Sequence, residues 1–461
     1  MKQNRKRLWI FTGISAVLII AIALFLSLYT SKSTGHAATK DIYCYVPKTD
    51  SLILFELNND ETAQTLNFNK TIRSWLNYTD RETDIIFRIS KKIQKENPSG
   101  KVVLGISRPG TADTRLILWS NTNPKQNKGL KKWLEENIAP AFEPEKEQVD
   151  SLSLWHYSVP GNRFISCLEG NGIFGISNDY KLLRESVETA CDEKYSRNKK
   201  TRETRSKEIP PPSYIHLTPE FLPGGNYIKS SNKEIALECT LYENKMWNTG
   251  FIPYQNDSSL IRKLQYQPRS LTFNPDAFGE QIILGMQYQI PDVGAFLSDP
   301  GIMPDSILMK EIDNEINIAW VKDSNNIEKL EKIISIRLKH PDKFKLNSLS
   351  TRLINFPAPL WNDTIYQTHI SGNYLYLSEN GHILQSYIRD IQSGNTISRE
   401  NRFANLNKQI SERISWIFFG INIPDNIAIP GLELYPQSDF FTELSTGHPN
   451  AIFCNSFIIS Q

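Results

Sequence analysis

The sequence has little net charge, few cysteines and none of the short motifs that mark common catalytic or metal sites. Its 52 basic and 50 acidic residues leave a formal charge of +2, which gives no reason to expect nucleic acid as a partner. No two of the five cysteines form C-x-x-C, and the seven histidines contain no H-E-x-x-H or four-residue spacing. Neither G-x-S-x-G nor G-K-[ST] occurs. We therefore assign no catalytic, cofactor-binding or metal-binding residue, expect no cofactor, and favour a non-enzymatic protein.

The cysteines leave two alternatives open. In an oxidising compartment one or two disulfides would form and leave an odd thiol. Buried free thiols are favoured, because free cysteine is among the most buried residue types. Three of the five lie in apolar, strand-like runs: Cys44 in "IYCYV", Cys167 in "FISCL" and Cys454 in "AIFCNS".

One long apolar run is present, at the N-terminus. Residues 8–31 carry no charge and follow Lys2, Arg5, Lys6 and Arg7. About 20 apolar residues cross a bilayer as a helix, and preceding basic residues keep that end in the cytoplasm. The run predicts a cytoplasmic segment 1–7, a transmembrane anchor 8–30, a polar spacer 31–40 and a periplasmic remainder on the inner membrane. The alternative is a cleaved signal peptide, but such apolar regions usually span only about 7–15 residues.

A glycine triplet has the spacing of a dinucleotide-binding loop. The stretch "ISCLEGNGIFGIS" contains Gly170-x-Gly172-x-x-Gly175. A phosphate-binding loop must open a helix, since the helix N-terminus supplies the N–H donors. Here "IFGIS" is strand-like, and Asn171-Gly172 is a strong hairpin signal. The pattern predicts a hairpin followed by a helix that Asn178 or Asp179 caps, and not a nucleotide site.

The segment around this hairpin recurs later in the chain. "CLEGNGIFGISNDYKLLRESVETA" aligns with "HISGNYLYLSENGHILQSYIRDIQ", which lacks the glycine triplet. "TRLILWSNTNPKQNKGLKKWLEENI" aligns with "NEINIAWVKDSNNIEKLEKIISIRL", each read as a strand ending in Trp119 or Trp320 and then a helix. "EIALECTLY" aligns with "AIFCNSFII", which places Cys239 opposite Cys454. We expect an α+β fold of two divergent copies, 41–255 and 262–461, each an antiparallel sheet with helices on one face and with a cleft between the copies. The charged segment 192–212 is expected to be a flexible loop. The alternative is a basic patch for anionic glycan or lipid head groups, which is less favoured because acidic residues interrupt the run.

Acidic and aromatic residues offer weak functional signals. The pairs Asp80/Asp84, Glu145/Glu147 and Asp313/Glu315 are expected on solvated faces. Most tryptophans, such as Trp119, Trp320 and Trp416, are expected in the core, whereas exposed aromatics could stack on sugar rings. The form D-[ST]-aliphatic resembles the O-glycan acceptor motif of exported proteins in one group of Gram-negative bacteria. It gives four candidate O-glycosylation sites: Ser51, Ser151, Ser306 and Thr364.

Two stretches carry a resemblance to a known group. "YCYVPKTDSLILFEL" and "SGNYLYLSENGHILQSYIRDIQSGNTISRENRFANL" resemble an uncharacterised family of membrane-anchored envelope proteins of Gram-negative bacteria, a domain of unknown function. The resemblance implies an envelope location and a duplicated α+β fold, and no activity.

The sequence thus predicts a non-enzymatic, membrane-anchored periplasmic interaction or scaffold protein, with an envelope protein or glycan as partner. One alternative is an envelope hydrolase acting on glycan or peptide, which would need two carboxylates about 5–9 Å apart in the cleft. The other is a lipid or lipoprotein carrier.

Overall fold

Strands dominate the described part of the chain. The computed structural model describes residues 42–47, 52–57, 65–76, 81–97, 100–138, 140, 143–149, 152–160, 163–191, 213–228, 235–253, 260–297, 310–323, 326–344, 367–421, 423 and 432–461. Of these residues, 43% lie in strands and 32% in helices. The strands are β1 (Leu52–Leu57), β2 (Val102–Ser107), β3 (Arg115–Asn121), β4 (Glu145–Val149), β5 (Leu152–Val159), β6 (Arg163–Gly170), β7 (Ile173–Ser177), β8 (Ser213–Leu217), β9 (Ile235–Leu241), β10 (Lys245–Pro253), β11 (Leu271–Thr272), β12 (Ile282–Gln289), β13 (Ile312–Asp323), β14 (Asn326–Leu338), β15 (Gln367–Ser371), β16 (Tyr374–Ser378), β17 (Arg413–Ile414), β18 (Trp416–Gly420), β19 (Ser438–Ser445) and β20 (Ala451–Ser460).

The helices lie between these strands. They are α1 (Lys70–Trp75), α2 (Arg81–Glu96), α3 (Pro124–Asn137), α4 (Tyr180–Cys191), α5 (Leu260–Gln265), α6 (Val293–Leu297), α7 (Gly381–Gln392) and α8 (Asn401–Asn407), with short 3-10 turns elsewhere. Side-chain hydrogen bonds and proline in the first turn help to determine where these helices begin. The side chain of Asn123, for example, accepts from Gln126 N while the Gln126 side chain accepts from Asn123 N, and Pro124 occupies the first turn of α3.

Eighteen strands form one antiparallel sheet, and β11 pairs with β17 separately. Across the sheet the order is β4-β5-β6-β7-β3-β2-β1-β8-β9-β10-β20-β19-β18-β12-β13-β14-β16-β15. Strands from residues 52–253 make one half, and strands from residues 282–460 make the other. Counted outward from the centre, the first half has the order β10-β9-β8-β1-β2-β3-β7-β6, and the second half has the order β20-β19-β18-β12-β13-β14-β16-β15. When these strands of each half are ranked by their position in the chain, the two orders are the same. The two halves therefore share a strand order and meet through their equivalent strands, β10 and β20.

Both faces of the sheet are covered over most of its area. On the inner face, one core unites both halves and packs against α2, α3, α5 and α6; Phe55, Leu104 and Ile336 belong to it. On the outer face, α4 covers the first half around Trp119, and α7 and α8 cover the second half around Phe419. Strands buried on both faces need continuous apolar runs instead of alternation. Runs such as "WIFFG" of β18 satisfy this requirement.

The predicted fold class is wrong in its main feature. The described residues do not form two α+β units; they form a single large sheet with few helices. The error is clearest in "NNIEKLEKIISIRL", read as a helix, which is instead strand β14. Its residues pair with β13 on one side and β16 on the other, so long-range pairing overrides the local helical spacing.

Two details of the predicted alignment also differ from the structure. By strand order, β3 with Trp119 corresponds to β14, whereas Trp320 lies on β13. By the same strand order, β9 with Cys239 corresponds to β19, whereas Cys454 lies on β20, the counterpart of β10. Cys167, Cys239 and Cys454 are buried and free, which confirms the buried-thiol expectation for these three.

The predicted hairpin is confirmed. β6 and β7 are antiparallel neighbours joined by Asn171 and Gly172, whose φ values are 51° and 75°. The helix α4 follows, and the Asp179 side chain accepts from Leu182 N at its start. The anchor 8–30, the flanking segments 1–7 and 31–40, and the charged segment 192–212 lie outside the described residues.

Candidate functional site at the seam between the halves

The two halves are joined by the β10–β20 ladder, which we call the seam. Its register runs from Lys245 opposite Ile459 to Pro253 opposite Ala451. This continuous ladder occupies the place where the sequence predicts a cleft between two copies. Side chains alternate across it, since successive strand residues point to opposite faces. Met246 and Ile458 enter the inner core, whereas Trp247 and Phe457 lie on the outer face.

The outer face of the seam has an aromatic–polar–aromatic pattern. Trp247 lies opposite Phe457, Thr249 opposite Asn455, and Phe251 opposite Phe453. The ring centroids are 5.7 Å apart in the first aromatic pair and 5.6 Å in the last, both edge to face. Such pairs contribute about 0.5–1.5 kcal/mol beyond the area they bury.

Part of this aromatic surface is open to solvent. Phe251 is 45% exposed, and Tyr242 in the β9–β10 turn is 55% exposed. The exposed His448 ring lies 5.2 Å from the Phe251 ring and extends the surface along the β19–β20 turn. Exposed aromatics of this size in one row are a feature of interaction surfaces.

A cavity of about 420 Å³ opens at the Trp247 end of the seam. It is lined by the turn residues 242–245 and by Trp247, Gln409 and Phe457. The turn contributes one acidic and one basic side chain, Glu243 and Lys245, to the rim. Aromatic walls with a few polar groups are the usual composition of a small-ligand site.

A buried polar chain lies beneath the cavity. The Trp247 indole N–H donates to Asn455 Oδ1 at 2.5 Å, and Asn455 Nδ2 donates to Glu443 Oε1 at 2.7 Å. Ser411 donates its backbone N–H to Glu443 Oε2 at 3.0 Å and its hydroxyl to Oε1. Burial raises the pKa of Glu443, and the hydrogen bonds from Ser411 and Asn455 oppose that rise. Because Glu443 is 0% exposed and both of its oxygens accept hydrogen bonds, it orients Asn455 and Trp247 and does not present a carboxylate to the cavity.

The predicted acidic pairs are not brought together at the seam. Asp84 forms an ion pair with Arg88 at 2.8 Å on α2, whereas Asp80 lies outside the described residues. Glu145 and Glu147 lie on β4 at one end of the sheet. All four candidate O-glycosylation residues also lie outside the described residues: Ser51, Ser151, Ser306 and Thr364.

The expectation of a solvated face is wrong for Glu315. This carboxylate is 1% exposed and accepts from the Tyr374 hydroxyl at 2.8 Å and from Asn317 Nδ2 at 2.9 Å. Asn274 Nδ2 lies 3.3 Å from both oxygens, and Arg337 Nη1 lies 3.8 Å from Oε2. The sequence does contain a signal for this buried polar cluster on the outer face. Polar residues occur at alternate positions in "QYQ" of β12 and in "EIN" of β13.

The expectation that the tryptophans lie in the core is confirmed for Trp119 and Trp416 and only in part for Trp320. Trp119 and Trp416 are fully buried, while Trp320 is partly buried against the inner core. Trp247, which the sequence did not single out, is the tryptophan at the seam. The cavity at the seam forms only when β10 and β20 pair, so no short stretch of the sequence predicts it.

Comparisons with known proteins give no relative on which to base a class. No protein-family model, curated protein or solved structure matches the chain. Within the described ranges, no three His, Cys, Asp or Glu side chains are grouped as metal ligands. Among the helices whose bounds are described, none combines the length and hydrophobicity needed to span a membrane.

Proposed function

We propose that this protein is a non-catalytic glycan-binding protein of the cell envelope, which holds an extended sugar chain along the outer face of the seam. The observation that carries the proposal is the row of partly exposed rings at Tyr242, Trp247, Phe251 and Phe453. Pyranose rings present flat C–H faces, and these stack well on aromatic rings. Trp247 and Phe251 are four residues apart on one strand face, or about 13 Å at roughly 3.3 Å per residue. That separation places two stacking sites along one glycan, with the polar pair Thr249 and Asn455 between them.

The rigidity of the surface supports binding. Trp247 is fixed through Asn455 and Glu443, so little side-chain freedom remains to be lost on association. The seam also combines strands from both halves, so the surface is complete only in the folded whole.

The envelope location rests on the N-terminal sequence. The basic residues 2–7 and the uncharged run 8–31 support an inner-membrane anchor with the remainder in the periplasm. An anchored protein of this kind would hold an envelope glycan at a fixed distance from the membrane.

The two alternative functions have weaker support. A glycan hydrolase needs two carboxylates facing the substrate. Among the residues that line the cavity at the seam, Glu243 is the one carboxylate. Glu443 is buried and fully hydrogen-bonded, and Glu238 lies outside the lining, opposite Thr249 on β9. For a lipid carrier, the apolar interior around the sheet is a packed core that supplies structural stability.

Titration of the full-length protein with chitohexaose and cellohexaose, followed by tryptophan fluorescence and calorimetry, tests the proposal. We expect saturable binding, and we expect Phe251→Ala to weaken it at least about tenfold, the loss of roughly 1.4 kcal/mol of contact. Phe164→Ala is the matched control, because Phe164 is a similarly exposed phenylalanine on β6 and outside the seam. Equal weakening by both variants, or no binding of either sugar, contradicts the proposal.

A further inference from the structure

A second cavity lies on the inner face of the sheet, far along the first half from the seam. It has a volume of about 440 Å³ and opens between the first turns of α3 and the β6–β7 turn. Its walls include Asn127, Lys128 and Lys131 of α3, Ser153 of β5 and residues 169–172.

The walls are held by backbone geometry. Asn127, Lys128 and Lys131 fall on one side of α3 because residues three and four apart share a helix face. The backbone N–H of Thr122, just before α3, donates to the carbonyl oxygen of Gly172 at 3.0 Å. This bond ties the start of the helix to the hairpin turn, so the two walls keep a fixed separation.

The cavity has an excess of positive charge. Its lining holds two ammonium groups, those of Lys128 and Lys131, and one carboxylate, that of Glu169. Outside the lining, Glu135 Oε1 lies 4.0 Å from Lys131 Nζ. The Lys131 Nζ lies 3.2 Å from the centroid of the Trp155 ring, a cation–π contact that restricts its position. The positive end of the α3 dipole adds to the field near the first turn. An anion is therefore favoured over a cation here.

Asn127 gives an independent indication of a ligand. The residue is only 8% exposed, and its Oδ1 has no hydrogen-bond partner among the described residues. A buried acceptor without a donor is costly to the folded state. A ligand hydroxyl in the cavity would supply the missing donor.

We propose that this cavity binds a hydroxylated carboxylate of the size of a hexuronic acid. The carboxylate pairs with Lys128 and Lys131, and hydroxyls donate to Asn127 Oδ1 and to the Glu169 carboxylate. The site is separate from the seam, and its ligand is recognised by charge and hydroxyl groups instead of by stacking. This proposal does not depend on the proposed function at the seam, and each can be correct without the other.

Calorimetric titration of the full-length protein with glucuronic acid, glucose and inorganic phosphate tests this assignment. We expect glucuronic acid to bind, glucose to bind at least about tenfold more weakly, and phosphate not to reproduce the glucuronic acid affinity. Lys128→Gln should lower the glucuronic acid affinity about tenfold. Lys132→Gln makes the same charge change on α3 at a side chain outside the cavity lining, which pairs with Glu136 at 3.6 Å, and should leave the affinity unchanged.

Asn127→Leu separates a binding role from a structural one. It removes the unpaired acceptor, so the variant should bind glucuronic acid at least about fivefold more weakly while its thermal midpoint stays equal or rises. Equal weakening by Lys128→Gln and Lys132→Gln overturns the proposal, as does binding of phosphate at the affinity of glucuronic acid. Absence of glucuronic acid binding also overturns it.

Discussion

Trp247 on β10 donates its indole N–H across the seam to Asn455 on β20, at 2.5 Å. The two residues come from different halves of the sheet and are diagonal neighbours in the ladder, where long side chains reach each other. Asn455 in turn donates to Glu443 on β19. The position of the exposed aromatic surface therefore depends on a polar chain beneath it.

Asn455→Leu should destabilise the fold. It leaves the indole N–H of Trp247 without its acceptor, and an unsatisfied buried group costs about 1–3 kcal/mol. It also removes one hydrogen bond to Glu443 Oε1, which keeps the Ser411 hydroxyl as a donor. We expect a loss of about 2–4 kcal/mol in the free energy of unfolding, measured by urea denaturation. Thr249→Val is the matched control, since Thr249 is opposite Asn455 in the ladder. If Thr249→Val lowers the free energy of unfolding by as much, the effect comes from the β10–β20 ladder and not from the polar chain, which contradicts the prediction.

Glu443 should make stability depend on pH. Burial raises the pKa of this carboxyl in the folded protein, so the native state holds the proton more strongly than the unfolded chain does. This contribution to stability is largest below the unfolded pKa and falls as the pH rises towards the folded pKa. Glu443→Gln removes the titration and should flatten that part of the profile. Denaturation curves of both proteins from acid to neutral pH measure the difference, and identical profiles would refute the assignment.

Tyr374→Phe should cost about 1.5–3 kcal/mol in the free energy of unfolding. The hydroxyl donates to the buried Glu315 carboxylate at 2.8 Å, and a hydrogen bond to a charged group contributes about this much. Tyr376→Phe is the control. The Tyr376 ring lies 6.0 Å from Tyr374, but the described hydrogen bonds of Glu315 do not include it. Burial, together with the charge of Glu315, raises the pKa of both tyrosines, that of Tyr376 to about 12, so both stay protonated at neutral pH. The account fails if the control loses as much stability.

Gly172→Ala and Gly129→Ala should change stability in opposite directions. Gly172 has φ 75°, a left-handed conformation that costs an L-residue about 1–2 kcal/mol. Gly129 is within α3, and an added Cβ there meets nothing within 4 Å. Alanine at Gly129 should therefore stabilise the fold by about 0.5–1 kcal/mol. Thermal unfolding of each variant and of the parent protein measures the two changes in stability, which should have opposite signs. Stabilisation by Gly172→Ala would contradict the turn geometry.

Local features were predictable from the sequence, and long-range pairing was not. Asn171-Gly172 needs positive φ at both positions, so the hairpin β6–β7 and the capped helix α4 follow from a few neighbouring residues. The segment of β14 has apolar residues at both helical and alternate spacing: Ile333, Ile334, Ile336 and Leu338. Its state is decided by β13 and β16, which lie in other parts of the sequence.

The candidate site at the seam was not predictable for the same reason, because it also depends on long-range strand pairing. Trp247 and Asn455 are 208 residues apart, and nothing near either residue indicates the other. The recurring segments raised the expectation of two separate units with a cleft. The edges of two equivalent sheets can instead pair with each other, which removes two exposed edges and joins the halves through a continuous ladder.

Hydrogen–deuterium exchange of the full-length protein, with and without saturating chitohexaose, tests the central claim most directly. The account predicts slower exchange in peptides that cover 242–253 and 446–457, and unchanged exchange in the α3 and β6–β7 segments that line the second cavity. Slower exchange confined to residues 124–131 and 169–172, or no change anywhere, would contradict glycan binding at the seam.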